Sequence, residues 1–217
     1  MKLDKHTEYI TNLISKGEHQ QQDFKFAIND TRKIAKTLVA FANTDGGTLL
    51  LGVKDNGVIV GVKSDEEIYM IESAASLYSK PAVSFSAKQW SVNGRMVVET
   101  IIPKSIEMPH FAQDYDGKWL AYIRQHDENF LVNNVWLRVI ERKNSKEGAQ
   151  FIFSHKERFL LNYLEEEDRI NFAKFCKLAH VPYQIAEDIL VNFIVWDLIE
   201  MVFDKGKIFY KLKEKKK

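Results

Sequence analysis

Residues 34–62, IAKTLVAFANTDGGTLLLGVKDNGVIVGV, decide how the chain is read. Ile34, Leu38 and Phe41 recur at helical spacing with Ala35 and Ala42 beside them, so an amphipathic helix is expected over residues 30–43. Asp30 and Thr31 supply capping side chains at its start. The run Asn43-Thr44-Asp45-Gly46-Gly47 stops the helix, because glycine enters the left-handed region cheaply and Asn and Asp tolerate it. Residues 48–53 then read as a strand whose near-continuous leucines suit cover on both faces. Asp55-Asn56-Gly57 suits a hairpin turn into residues 58–62. Taken alone, this is a helix packed on a hairpin and requires no active chemistry.

Working outward, residues 2–16 carry Leu3, Ile10, Leu13 and Ile14 at helical intervals and end at Gly17. Residues 20–26 alternate, with Phe24 and Phe26 on one face of a strand and Asp23 and Lys25 on the other. Downstream, a second helix is predicted over 66–79 and strands over 83–87 and 96–102 about the Asn93-Gly94 turn. A loop over 103–109, a strand over 119–124 and a helix over 127–142 complete an α+β lobe with a mixed sheet of about six strands. The polar run KNSKEGAQ, residues 143–150, is the sharpest break in composition and marks a linker. Helices over 155–164, 170–179 and 182–196, then a hairpin over 198–203 and 207–212, read as a winged helix. The expected boundaries are a lobe at 1–143, a linker at 144–152, a winged helix at 153–213 and a basic tail at 214–217.

Composition excludes several classes. With 31 Lys and Arg against 30 Asp and Glu, the net charge is +1, so a nucleic-acid site has to be a local patch rather than a basic body. The one cysteine, Cys176, lies among Phe172, Phe175 and Leu178 as a small buried hydrophobe, and one cysteine makes no intrachain disulfide. The N-terminus lacks a signal-peptide core, and no stretch approaches the roughly 20 apolar residues of a membrane span. A reducing cytoplasm and no membrane partner are expected. The six histidines show no metal-ligand spacing, and Trp119, Trp136 and Trp196 read as core or interface aromatics.

The helix ending in AFANT-x-GG, the strand LLLGV, the turn Asp55-x-Gly57 and the closing IVGV together resemble the Schlafen/AlbA-like domain, labelled a DNA-binding domain. Glu18 and Asp23-Phe24-Lys25 extend the resemblance upstream, and Ile102-Pro103-Lys104-Ser105, Pro109 and Tyr122-Ile123-Arg124 extend it downstream, over about residues 10–143. The resemblance implies a cytoplasmic nucleic-acid-binding protein acting in regulation or RNA metabolism, on RNA or DNA. Schlafen cores enclose their groove with two such lobes in tandem and this chain carries one, so a homodimer is expected.

Asp23 and Asp55 lie in or just after strands adjoining the central helix and Glu18 enters the first of these, so all three are placed to converge at one sheet end. Hard cations such as Mg²⁺ or Mn²⁺ take such oxygen ligands and activate water for phosphodiester cleavage. In Schlafen ribonucleases an E-x4-E pair and an Asp after the LLLGV-like strand form the acidic site. The matching positions are Glu18, Asp23 and Asp55, with Lys25 close to a phosphate and a shorter Asp where the family has its second Glu. A metal-dependent ribonuclease acting on tRNA or rRNA is therefore the alternative function, with Glu18, Asp23, Asp55 and Lys25 as its site. Three anions brought together need compensation, and Lys25 offers one charge.

For binding without cleavage the candidates are Lys25, Arg32, Lys33, Lys36, Lys54 and Arg124, although cations on the outer face of a helix are also an ordinary solvated surface. Gly46-Gly47 does not make a phosphate cradle: a helix ends into these glycines where a cradle begins one, and no G-x4-G-K-[ST] occurs. An ATP-binding regulator is thus the weakest alternative. In the C-terminal module residues 181–199 carry Glu187, Asp188 and Asp197 but no Lys or Arg, so packing rather than DNA reading is expected there, with Lys205 and Lys207 in the wing as the contrary feature.

Overall fold

The computed structural model describes residues 4–63, 66–145 and 153–214 and divides into two compact units, Met1–Val132 and Asn133–Lys217. In the first unit α1 (Lys5–Ser15) precedes β1 (Gln22–Lys25), α2 (Thr31–Ala42) and β2 (Gly47–Leu51). Next come α3 (Glu66–Ser76), β3 (Ser79–Lys80), β4 (Ser86–Val92), β5 (Arg95–Ile102), β6 (Phe111–Gln113), β7 (Trp119–Leu120), β8 (Tyr122–Gln125) and β9 (Glu128–Leu131). The central sheet has the order β1-β2-β5-β4, with β1 and β2 parallel and the other pairs antiparallel. The helix α2 is the crossover between the parallel pair.

The leucine run shows why this sheet is buried on both sides. Side chains alternate along a strand. Leu49 and Leu51 therefore join Ile34, Leu38 and Phe41 of α2, while Leu50 joins Ile10 of α1, Phe24 and Trp90 on the opposite face. Beneath α1 the buried Glu99 accepts from the Tyr9 hydroxyl at 2.7 Å and from Trp90 Nε1 at 2.8 Å. The first of these bonds pushes the Tyr9 hydroxyl up to about 12.

The corner between α2 and β2 is fixed by the residues that stop the helix. The Asn43 amide donates to the carbonyls of His110 and Tyr122, both at 2.9 Å, and accepts from His110 N at 2.8 Å. Thr44 Oγ1 donates to Ala40 O and accepts from Arg124 N at 2.9 Å. Gly46 has φ +70, and a Cβ at Gly47 would stand 2.4 Å from the Phe41 ring. Both positions therefore need glycine.

Several expectations are corrected. In place of one sheet of about six strands, the unit has the four-stranded sheet, a small sheet β3-β6-β7 and the pair β8-β9. Pro103 follows β5 directly and has no N–H to continue the ladder. Residues 58–62 form a single bridge, Val53 to Ile59, rather than a strand. The helix expected over 127–142 is in its first part β9, which returns on β8 through a two-residue turn with His126 at φ 57.

In the second unit α4 (Asn134–Asn144) is capped by Asn133 and leads to α5 (His155–Glu166), β10 (Ile170–Asn171), α6 (Phe172–Leu178), α7 (Tyr183–Val195), β11 (Ile199–Asp204) and β12 (Lys207–Leu212). A capping box formed by Ser154 and Glu157 starts α5. Strand order is β10-β12-β11. Val135 and Val139 of α4 pack in one core with Leu160, Phe175, Ile189, Phe193 and Tyr210. Arg138 pairs with Glu187 at 3.4 Å and with Asp188. This packing places α4 in the second unit, whereas the expected boundary put it in the first lobe. Of the expected linker and tail, residues 146–152 and 215–217 lie outside the described residues. Among the described residues no helix is long and apolar enough to cross a membrane.

Candidate nucleic-acid interface

Two acids and two cations meet beside β1. Asp23, buried to 4 % exposure, lies between Arg124 Nη2, 3.0 Å from its Oδ1, and Lys25 Nζ, 2.8 Å from its Oδ2. Glu18 Oε1 accepts from Phe24 N at 2.9 Å and is 4.0 Å from Lys25 Nζ. Burial pushes the Glu18 carboxyl above its ordinary range and contact with Asp23 adds to the rise, while the Phe24 N–H and Lys25 oppose it.

Arg124 is 2 % exposed. Its guanidinium lies 5.2 Å over the Phe41 ring and also donates to Asn129 Oδ1 and Gln22 O. A guanidinium so enclosed holds Asp23 instead of reaching a phosphate, which corrects the role expected for it. Lys25 Nζ likewise donates to Phe24 O at 2.7 Å besides holding Asp23. The sequence left these carboxylates with one cation; the fold gives them two, so charge balance does not require a divalent ion.

Asp55 stands apart from this corner in an exposed turn closed by the bond from Gly57 N to Lys54 O, 2.7 Å. Among the described residues no group of three or more His, Cys, Asp or Glu side chains is placed to hold a metal ion. Glu18, Asp23 and Asp55 therefore do not form the expected Mg²⁺ or Mn²⁺ trio, and both Asp23 oxygens already face cations. As arranged, these residues do not fit the ion.

The other cations lie nearer the surface. On α2, Ile34, Ala35 and Leu38 are buried while Lys33 is exposed and Arg32 and Lys36 are half-buried. Among the described residues Arg32, Lys33, Lys36 and Lys54 make no ion pair with a carboxylate. Arg32 lies 4.8 Å over the Tyr78 ring and 5.6 Å over that of Tyr115, and Lys36 5.5 Å over Tyr122. Tyr115 is 60 % exposed and its hydroxyl donates to Asp30, the cap of α2. Sequence reasoning missed these tyrosines, since nothing in the spacing of Tyr78, Tyr115 and Tyr122 brings them to one helix. Lys54 and Asp55 line an open cleft of about 520 Å³ with Asn56 and Phe26.

No curated protein matches the chain. Among solved structures it is similar to the DIP2311 protein of Corynebacterium diphtheriae, at 21 % identity and TM-score 0.45, over 70 % of this chain and 34 % of that one. It thus spans about a third of the length of that protein. It is also similar to the N-terminal domain of an ATP-dependent DNA helicase RecG-related protein of Nitrosomonas europaea, at 19 % identity and TM-score 0.41, over 71 % of this chain and 97 % of that domain. The family model described as Schlafen, AlbA_2 matches residues 18–133, from Glu18 through the Asn43-to-Gly47 corner to the β8-β9 pair. That match spans more than half of the 217 residues, and the chain belongs to the Schlafen, AlbA_2 family.

Proposed function

We propose that the first unit binds nucleic acid, RNA or DNA, through the outer face of α2 and the turn at Lys54. The observation that carries this is the set of cations Arg32, Lys33, Lys36 and Lys54, none in an ion pair with a described carboxylate, while Lys25 and Arg124 inside the fold are committed to Asp23. Unpaired Lys and Arg are what a phosphate backbone selects, since each contact releases condensed counterions. Fluorescence anisotropy against labelled tRNA, single-stranded DNA and duplex DNA at two salt concentrations tests it. Binding that weakens with salt supports the role, and no binding to any of the three removes it.

One observation favours a second activity, a divalent-metal-dependent endoribonuclease on tRNA- or rRNA-type substrates. Glu18 and Asp23 share Lys25, whose Nζ is 4.0 Å from Glu18 Oε1 and 2.8 Å from Asp23 Oδ2, and burial raises the Glu18 carboxyl with Asp23 adding to the rise. Metal binding there requires Lys25 and Arg124 to give up Asp23. A melting temperature that responds to Mn²⁺, with RNA cleavage lost in Glu18→Ala, supports this activity; an unresponsive protein without cleavage excludes it.

We read the second unit as a winged helix that packs rather than reads DNA. Support comes from its three helices α5, α6 and α7 followed by the β11-β12 hairpin, and from Arg138 of α4 covering Glu187 and Asp188 on α7. We also propose a homodimer, on the family's use of two lobes to enclose one groove. Light scattering giving twice the 25.2 kDa chain mass supports it, and a single chain mass at tens of micromolar contradicts it.

A further inference from the structure

We infer that the cleft lined by Phe26, Lys54, Asp55 and Asn56 is a nucleotide pocket that takes an unpaired base, guanine by preference, so that the ligand of the first unit is single-stranded. This rests on the nucleic-acid binding proposed above and specifies its substrate class.

The argument starts from Phe26. Its neighbour in the alternation, Phe24, is 1 % exposed, but β1 ends at Lys25 and the chain bends, leaving the Phe26 ring 52 % exposed at the cleft. A large aromatic ring half in water beside an exposed lysine offers a flat stacking surface, and every nucleobase offers a π face to it. The cleft volume, about 520 Å³, falls within the range of roughly 300–1,000 Å³ typical of small-molecule sites and admits a nucleotide.

The polar groups around the ring complete the match. Lys54 is an exposed ammonium in no ion pair with a described carboxylate and suits a phosphate. Asp55 presents a carboxylate that only accepts hydrogen bonds, and guanine offers two parallel donors on one edge, its ring N–H and its amino group. Asn56 is exposed and its Oδ1 accepts from Val58 N at 3.2 Å, which leaves its NH₂ as the donor to offer a ligand. These side chains project from a turn whose backbone is closed by Gly57 N on Lys54 O, which fixes the positions they stand on. Adenine offers Asp55 one donor and uracil's Watson–Crick edge offers its ring N–H between two acceptors, so both fit less well. In a duplex each base is stacked on both faces and paired along that edge, and it cannot reach Phe26.

The test uses the full chain and anisotropy with an oligouridine, the same oligouridine carrying one central guanine, and a duplex. Wild type is expected to bind the guanine-containing strand tightest and the duplex weakest. Phe26→Ala should weaken single-strand binding about tenfold and leave duplex binding unchanged, while Phe26→Trp retains it. Asp55→Asn should erase the preference for guanine by lowering affinity for the guanine-containing strand to that of plain oligouridine; a guanine preference that survives in Asp55→Asn overturns the role of Asp55. If Phe26→Ala weakens single strand and duplex equally or neither, or the wild type prefers duplex, the pocket is overturned while the cationic face of α2 stands. If the wild type binds none of them, both fall.

Discussion

Asp23 lies in β1 and Asp55 follows β2, its parallel partner, yet their surroundings are opposite. Asp23 is enclosed, with Arg124 and Lys25 on its two oxygens and Glu18 beside it. Asp55 is exposed at the tip of a turn, next to a lysine that no described carboxylate holds and an open aromatic ring. The first region contains or touches most residues of the family motif, including Phe41 under Arg124, Asn43 in three hydrogen bonds and Thr44 in two. Its polar groups are spent on holding α2, β2 and β8 together. The second region has polar groups left over. The difference teaches that polar side chains committed to the corner are closed to a ligand, and that the ligand contacts proposed above draw on side chains the architecture leaves uncommitted.

The comparison breaks most easily at Arg124. Arg124→Ala leaves Asp23 buried beside Lys25 alone, and a buried pair broken on one side typically loses about 3–5 kcal/mol, readable by urea denaturation. Asp55→Ala should fall within about 0.5 kcal/mol of wild type in the same assay. Equal effects at the two sites would erase the distinction. Gly47→Ala comes next: its Cβ meets the Phe41 ring at 2.4 Å, and overpacking of this kind costs about 1–3 kcal/mol, seen as a lower melting temperature with Asn43 and Thr44 untouched.

The smallest effect belongs to Glu18 and depends on pH. Its folded carboxyl is raised above the ordinary value of 4.5, so the fold favours the protonated form. The stability it contributes is complete below pH 4.5 and is lost as pH rises through the raised value. Melting temperatures of Glu18→Gln minus wild type should therefore increase as pH climbs through that window. A difference that stays flat would mean that the fold leaves the Glu18 carboxyl unperturbed, and one that falls would mean that the fold favours its ionised form.

How much of this was legible depends on sequence distance. The α2 stripe of Ile34, Leu38 and Phe41 and the two-faced leucine strand follow from local periodicity, and so do the outward lysines of α2. Asp23 and Lys25 were legible as neighbours because both lie on one four-residue strand. The Asp23–Arg124 pair was not, since 101 residues separate its members and only the tertiary placement of β8 brings them together. The β8-β9 turn was hidden because His126, not glycine, takes the left-handed position. Phe26 was assigned to the face of Phe24 by alternation, and the end of β1 one residue earlier is a backbone event that the side-chain pattern does not carry. The boundary at 132/133 was hidden by the polar run after α4, which looks like a linker although α4 itself packs with α7.

The central claim is that the outward cations of the first unit carry nucleic-acid binding. It is tested most directly by the salt dependence of affinity for a single-stranded RNA, measured for wild type and for Lys33→Ala/Lys36→Ala. Each phosphate contact contributes about 0.7 to the slope of log affinity against log salt for single strands. The double variant should bind more weakly at low salt, with a slope shallower by about 1.4 if each lysine makes one such contact. An unchanged slope and affinity would contradict the assignment of this face.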